Sequence, residues 1–359
     1  MIITILITFI SLIGLIILHE FGHFIMAKRF GVKVEEFGVG LPPRIFGKKF
    51  GETIFSLNLF PFGAFVKLYG EEEAKEDPRS FSAKPIWQRA LIVVAGVVSF
   101  WIVSVILLSF VFWLGTPQAI SDEENQKILN PKVQIVAIAP NSPAESVGLR
   151  PGDAILAFEI ENKNFPVDKI KGVQEFTEKY KGDEVVLIIE RGKETFEVKL
   201  IPRVSPPQGE GAMGVALART SFTRYPWYQA PFQGIVGTFN FTLLVVQGWV
   251  QVLLSTVRGV STGVQLVGPV GIFGLVSQQI QLGINYFLQF IALISIYLAL
   301  FNILPIPALD GGKLFFLAAE KIRGKAIPQK IEQRITAFFF ALLLALIVFI
   351  TFKDIQKLF

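Results

Sequence analysis

The residues best suited to chemistry lie near the N-terminus, in His19-Glu20-Phe21-Gly22-His23. On a helix, histidines four residues apart project from one face, so both imidazoles can bind one metal ion while the adjacent glutamate acts as a general base in hydrolysis. Such a pattern can arise by chance. Here, however, it holds both histidines of the chain and the only acid among the first 34 residues, within an otherwise apolar segment. Ionisable groups at membrane depth are expensive unless paired or functional, which argues against coincidence.

The 359 residues include no cysteine, which excludes a disulfide framework, an iron–sulfur cluster and a thiolate zinc site. A metal must then be held by imidazole and carboxylate. Two histidines leave a catalytic tetrahedral zinc short of one protein ligand, so the third must be an oxygen. The best candidate is Asp310, which ends a 51-residue stretch without charge in Asn302-Ile303-Leu304-Pro305-Ile306-Pro307-Ala308-Leu309-Asp310-Gly311-Gly312. Pro305 and Pro307 cannot continue a helix, and irregular backbone at membrane depth is tolerated only where it is buried in protein or lines a wet cavity. Taken alone, Asp310 serves equally well as the N-cap of a helix over 312–322. Its pairing with an intramembrane H-E-x-x-H favours the ligand reading.

These residues must be positioned by membrane helices. Apolar residues make up 52% of the chain and charged ones 18%, with 35 phenylalanines and a mean hydropathy of +0.54; a soluble fold could not hide so much apolar surface. Uncharged stretches predict spans near 3–27, 91–114, 285–304 and 335–352. The first lacks the basic start and small-residue cleavage site of a signal peptide and reads as a retained helix. Residues 122–224 hold 14 basic and 16 acidic residues, leaving 20 basic against 13 acidic elsewhere, so the basic excess flanks the spans. That is a pattern of membrane orientation rather than a nucleic-acid footprint. The loops after spans one and three carry most of these cations and are expected in the cytoplasm, with the N-terminus and the long segment 115–228 outside. Lys353 and Lys357 run against this rule.

Residues 128–203 alternate apolar and polar side chains in short runs separated by Gly, Pro, Asn and Asp, and predict a small β-rich soluble domain. Within 36–70, the runs Thr53–Phe60 and Ala64–Tyr69 flank a turn-like Pro61-Phe62-Gly63 and predict a β-hairpin, which on sequence alone serves equally well as a packed cytoplasmic hairpin with no substrate role or as an exposed edge that holds an extended peptide by strand addition. The uncharged stretch 225–257 contains scattered Gln and Trp that suit an interfacial helix. Parity favours that reading. If zinc lies near the inner end of span one and Asp310 beyond the inner end of 285–304, both helices run inward and an odd number of spans separates them. Span 91–114 supplies that one, so 225–257 is expected to lie in the interface or to dip in and return.

The chain resembles the site-2 protease family of intramembrane zinc metalloproteases, in its bacterial regulator of sigma-E protease branch. The matching residues are His19-Glu20-Phe21-Gly22-His23, the Asn302 to Gly311 element, Gly268-Pro269-Val270-Gly271-Ile272, and the PDZ-like runs Ala139 to Ala144 and Gly148 to Asp153. The likeness implies a Zn2+ ion held by His19, His23 and Asp310, catalysis by Glu20, and a membrane-associated β-element over 36–70. It also places Asn302 near substrate, where a helix-packing amide is the plainer alternative. Ala95-Gly96-Val97-Val98-Ser99-Phe100 lacks the Pro and Asn usual in the family, which removes any expected polar role for that helix face.

The expected fold is therefore a polytopic α-helical membrane protein of about four transmembrane helices, with a membrane-associated β-hairpin and an inserted PDZ-like β-rich domain. Its regions are 1–120, 128–203, 225–257 and 259–359. The expected activity is cleavage of single-span membrane substrates at a bacterial cytoplasmic membrane, with anti-sigma factors or signal-peptide remnants as example substrates, the lipid bilayer as partner and no nucleic acid. The alternative is a membrane scaffold with a non-catalytic metal, against which the intact Glu20 speaks. The domain 128–203 is expected outside, where it excludes bulky substrates, because Ala139-Pro140-Asn141-Ser142-Pro143 offers no glycine-rich loop for a substrate carboxylate.

Overall fold

In the computed structural model the described residues are 2–71, 73, 75–123, 130–160, 163–192, 194–207, 209–259 and 267–356; Lys357 lies outside them. In chain order the elements are α1 (Ile2–Arg29), β1 (Val34–Phe50), β2 (Thr53–Leu68), α2 (Ile86–Leu114), β3 (Thr116–Ala119), β4 (Lys132–Ile138), α3 (Pro143–Ser146), β5 (Ala154–Ile160), β6 (Lys163–Pro166), α4 (Ile170–Lys179), β7 (Val185–Arg191), β8 (Glu194–Leu200), β9 (Val215–Thr223), α5 (Ala230–Val257), α6 (Pro269–Leu282), α7 (Ile284–Asn302), α8 (Asp310–Arg323) and α9 (Gln329–Gln356). They fall into two units, one of Met1–Phe110, Pro231–Ser277 and Leu288–Phe359, the other of Val111–Ala230 and Gln278–Phe287.

In the first unit, α1 is apolar on every face and stops where Lys28 and Arg29 complement the negative end of its dipole. Gly31 follows at φ +66°, a backbone state that glycine adopts without strain. The next residues form the expected hairpin, with different arms. Thr53–Leu68 is one strand whose partner is Val34–Phe50, and the chain reverses at Gly51-Glu52 instead of Pro61-Phe62-Gly63. Gly63 and Gly40, both at positive φ, sit where the paired strands bend together. The hairpin doubles back, so that Glu36–Val39 pair with 64–67 on one edge and 54–57 on the other. It lies along α1, with Phe62 against Phe9 and Phe37 and Phe55 against Phe24. That reach is about 22 Å along the helix axis. Its outer end exposes Phe46, Leu59, Phe60 and Phe62, apolar surface that suits contact with lipid.

α2 runs antiparallel to α1 and to α7. Ser104 Oγ donates to the Ala292 carbonyl at 2.6 Å and Ser295 Oγ to the Phe100 carbonyl at 2.8 Å, all buried. The stretch 225–257 departs from expectation. Most of it is the unbroken helix α5, which makes five helices among the described residues long and apolar enough to cross a membrane, against about four expected. A continuous helix cannot dip in and return. Its polar and aromatic residues are spent on packing: Trp101 Nε1 donates to Thr242 Oγ1 at 3.2 Å, Trp249 meets Tyr297, and Val245 joins Ile296 and Leu300 in one cluster. Gly234 lets α5 approach α2 so closely that a Cβ there would overlap Ser109.

These contacts make α5 antiparallel to α2 and hence parallel to α7. With α1 and α7 both antiparallel to α2, those two run the same way, and the extra helix α5 leaves that shared direction unchanged. Gly271 N–H, in the first turn of α6, donates to the buried Asp354 carboxylate near the end of α9 at 2.8 Å.

The second unit is built on an antiparallel sheet of order β3-β9-β4-β5-β7-β8, with β6 on β5. Its core includes Ile135, Phe158, Leu187, Ile189 and Met213, with Phe176 of α4 stacked on Phe158. The fully buried Asp153 is paired with Arg191 at 2.7 Å, and this hydrogen-bonded contact raises the guanidinium pKa. The sheet reaches beyond 128–203, because β9 pairs with both β3 and β4.

Candidate metal centre

His19, Glu20 and His23 occupy consecutive turns of α1, and α2 shapes the space beside them. Gly22 and Gly96 permit the approach: a Cβ on Gly22 would overlap Ser99 and the Ala95 carbonyl, and one on Gly96 would overlap the His23 ring. The Ile92 carbonyl lies 2.9 Å from His23 Nδ1 and can accept its proton, which leaves the Nε2 lone pair facing inward. Phe100 stacks on His19, with centroids 4.6 Å apart. The α2 face that lacks the family's usual Pro and Asn therefore acts through glycine, a carbonyl and an aromatic ring.

Asp310 arrives from the other end of the sequence. After α7, residues 303–309 turn tightly, with the Ile306 and Leu309 N–H groups donating to the Leu304 and Ile306 carbonyls. A Cβ on Gly311 or Gly312 would overlap those turn carbonyls, so the pair of glycines is required by this close approach. Thr336 Oγ1 of α9 donates to the Pro307 carbonyl at 3.1 Å and braces the turn. α8 begins at Asp310 itself, with Leu309 in the N-cap position, so the carboxylate is not spent as an N-cap. Its Oδ2 is buried and has no hydrogen-bond partner.

That oxygen lies 3.3 Å from His19 Nε2 and 3.3 Å from His23 Nε2, and the two nitrogens are 3.3 Å apart. Ligands about 2.0–2.1 Å from a tetrahedral zinc stand about 3.3 Å from one another. Three electron-pair donors thus converge at the spacing a zinc ion imposes, with side-chain exposures of only 9, 12 and 11%. The set fits Zn2+. Glu20 reaches the same place, its Oε1 4.0 Å from His19 Nε2. Asn302 ends α7, where its amide nitrogen donates to the Leu298 carbonyl at 2.9 Å.

Sequence reasoning missed Gly96, the Ile92 carbonyl, Phe100 and Thr336. A signal existed for the helix contact, since Ala95 and Ser99 lie four apart and Gly22 sits inside the motif, a small-residue pattern of closely packed membrane helices.

Comparison with known proteins agrees with this geometry. Residues 7–346 match the profile of Peptidase family M50. A provisionally named zinc metalloprotease of Clostridium perfringens is 34% identical over 345 residues, 95% of each chain. Another, from a Nostoc species, is 31% identical over 354 residues, 96% of this chain and 93% of its own. The regulator of sigma-W protease RasP of Bacillus subtilis is 26% identical over 439 aligned residues, covering 98% of both chains. With several apolar helices and a match across nearly its whole length, the chain belongs to peptidase family M50, the site-2 proteases, and is a multi-pass membrane zinc metalloprotease of regulated intramembrane proteolysis.

Proposed function

We propose that His19, His23 and Asp310 hold the zinc ion, that Glu20 is the catalytic base, and that the substrates are single-span proteins cut within or beside the bilayer. The observation that carries this reading is the convergence of two imidazole nitrogens and one unpartnered carboxylate oxygen at 3.3 Å, with Glu20 beside them. A zinc ion held by His19, His23 and Asp310 would supply Lewis-acid polarisation of the scissile carbonyl and a water of lowered pKa, towards about 7. Glu20 takes a proton from the attacking water and returns it to the leaving amine. Phe100 and the apolar faces of α1 and α2 limit water around the histidines, which strengthens each charge interaction.

A helical substrate hides its carbonyls in its own hydrogen bonds, so the cut segment must unwind. The β1–β2 hairpin beside α1 offers a free edge on which the unwound segment can lie as an added strand. Asn302 donates a hydrogen bond to substrate backbone, giving up the Leu298 carbonyl to do so. The metal-bearing end faces the cytoplasm, by the cations that flank it, and the β-rich unit is a PDZ-like domain on the outer side that excludes bulky substrates. The name of the Bacillus subtilis relative, a regulator of sigma-W, supports membrane-anchored anti-sigma factors as the substrate class. A scaffold with an inert metal would have no need of Glu20. The test is metal removal: the reconstituted protein should lose cleavage of a single-span reporter on chelation and recover it on addition of one equivalent of Zn2+. Full cleavage by zinc-free protein would overturn the proposal.

A further inference from the structure

Glu71 and Lys313 take no part in the chemistry above, yet they join the hairpin to the helix that bears Asp310. Lys313 Nζ donates to Glu71 Oε1 at 2.5 Å across 242 residues of sequence. Lys313 lies three residues after Asp310 and so on the same side of α8, about 5–6 Å away between Cβ atoms. Glu71 lies three residues after the end of β2, and its own N–H donates to the Leu68 carbonyl. The Glu71 carbonyl also accepts from Gln329 Nε2 at the start of α9, at 3.5 Å. One residue thus ties the hairpin root to two helices.

The rest of α8 is anchored separately. Arg89 of α2 grips Glu320 with two hydrogen bonds, at 2.5 and 3.1 Å. That contact is nearly three turns from Asp310 and does not touch the hairpin. The Lys313 ammonium is committed to Glu71. The Glu71 carboxylate raises the Lys313 pKa, so the lysine stays charged and tethered.

The hairpin has a free edge close to this tether. Ala64–Lys67 pair with Glu36–Val39 on one side, and no described strand pairs with them on the other. That edge ends four residues before Glu71. We propose that Glu71 and Lys313 are a positioning pair, which docks the hairpin root on α8 and sets the distance and register between a strand laid on the Ala64–Lys67 edge and the metal centre. The proposal rests on the reading of the hairpin as substrate holder. Its physical content is a lever: misplacing the reacting bond by about 1 Å costs on the order of a hundredfold in rate. A partly exposed ion pair adds little to global stability, so its removal should leave the fold intact.

The test uses full-length protein in lipid nanodiscs, as a cycle of Glu71→Gln, Lys313→Gln, the double variant and Lys313→Arg. Spin labels at Lys49→Cys and Lys321→Cys report hairpin-to-α8 distance without any need for catalysis, and the native chain has no cysteine to interfere. Each single Gln variant should broaden that distance distribution and lower kcat for a single-span reporter about tenfold to a hundredfold, with zinc content unchanged. The double variant should be no worse than either single, and Lys313→Arg should keep most of the wild-type rate. An unchanged distance distribution, effects that multiply in the double variant, or zinc loss in step with activity would each overturn the proposal. If the wild type failed to cleave at all, the substrate-holder reading would fall, while the distance measurement would still decide whether the pair docks the hairpin.

Discussion

At the scale of single residues, the position of the His23 ring depends on an atom that Gly96 lacks. A methyl group there would overlap the imidazole, so Gly96→Ala should push His23 off its contact with the Ile92 carbonyl. The expected result is a drop in zinc affinity of about 10–100-fold, the usual cost of disturbing a residue that orients a ligand, measured by competition with a chromogenic chelator. His19→Ala, His23→Ala and Asp310→Ala should each lower zinc occupancy together with activity. If Asp310→Asn kept full zinc affinity and full rate, the third ligand would have to be another group. The motif residues could be picked out from spacing and rarity alone, since two histidines and one acid in an apolar segment leave few alternatives. Gly96, Phe100 and the Ile92 carbonyl could not, because their roles depend on where α2 crosses α1, about 70 residues away in sequence.

Among the elements, the long uncharged helices and the existence of a hairpin were legible in composition, while partners and the fate of polar residues were not. Thr53–Phe60 and Ala64–Tyr69 look like two arms around Pro61-Phe62-Gly63, yet they belong to one strand that bends, with Gly40 of its partner at positive φ in the same place. Gln and Trp in 225–257 suggest an interface, but Trp101, Thr242, Trp249 and Tyr297 satisfy one another along the helix contacts. The parallel course of α5 and α7 has a measurable consequence. Arg258→Cys should be labelled by a membrane-impermeant maleimide from the same side as Lys325→Cys, and Tyr228→Cys from the opposite side. Labelling of Arg258→Cys from the side of residue 228 would refute that course.

At the scale of the whole molecule, the β-rich unit is closed at its root by strands that lie outside the range its alternating pattern suggested. β3 and β9 pair Thr116 with Thr223, so the two ends of the insertion are neighbours. Deleting 128–203 would strand both, whereas excising 116–223 and joining Gly115 to Arg224 through a short linker removes the sheet whole. If the unit excludes bulky substrates, the excised protein should keep zinc and cleave an untrimmed reporter that the intact protein leaves alone; a zinc-loaded excision variant unable to cleave even a trimmed reporter would point to required capture instead. All of these outcomes depend on the chemistry assigned to the buried turn of α1. Zinc content and cleavage of a single-span reporter, compared between wild type and Glu20→Gln, test that assignment most directly. The expected result is one zinc bound in both proteins and no cleavage by Glu20→Gln; retained cleavage by the variant would contradict it.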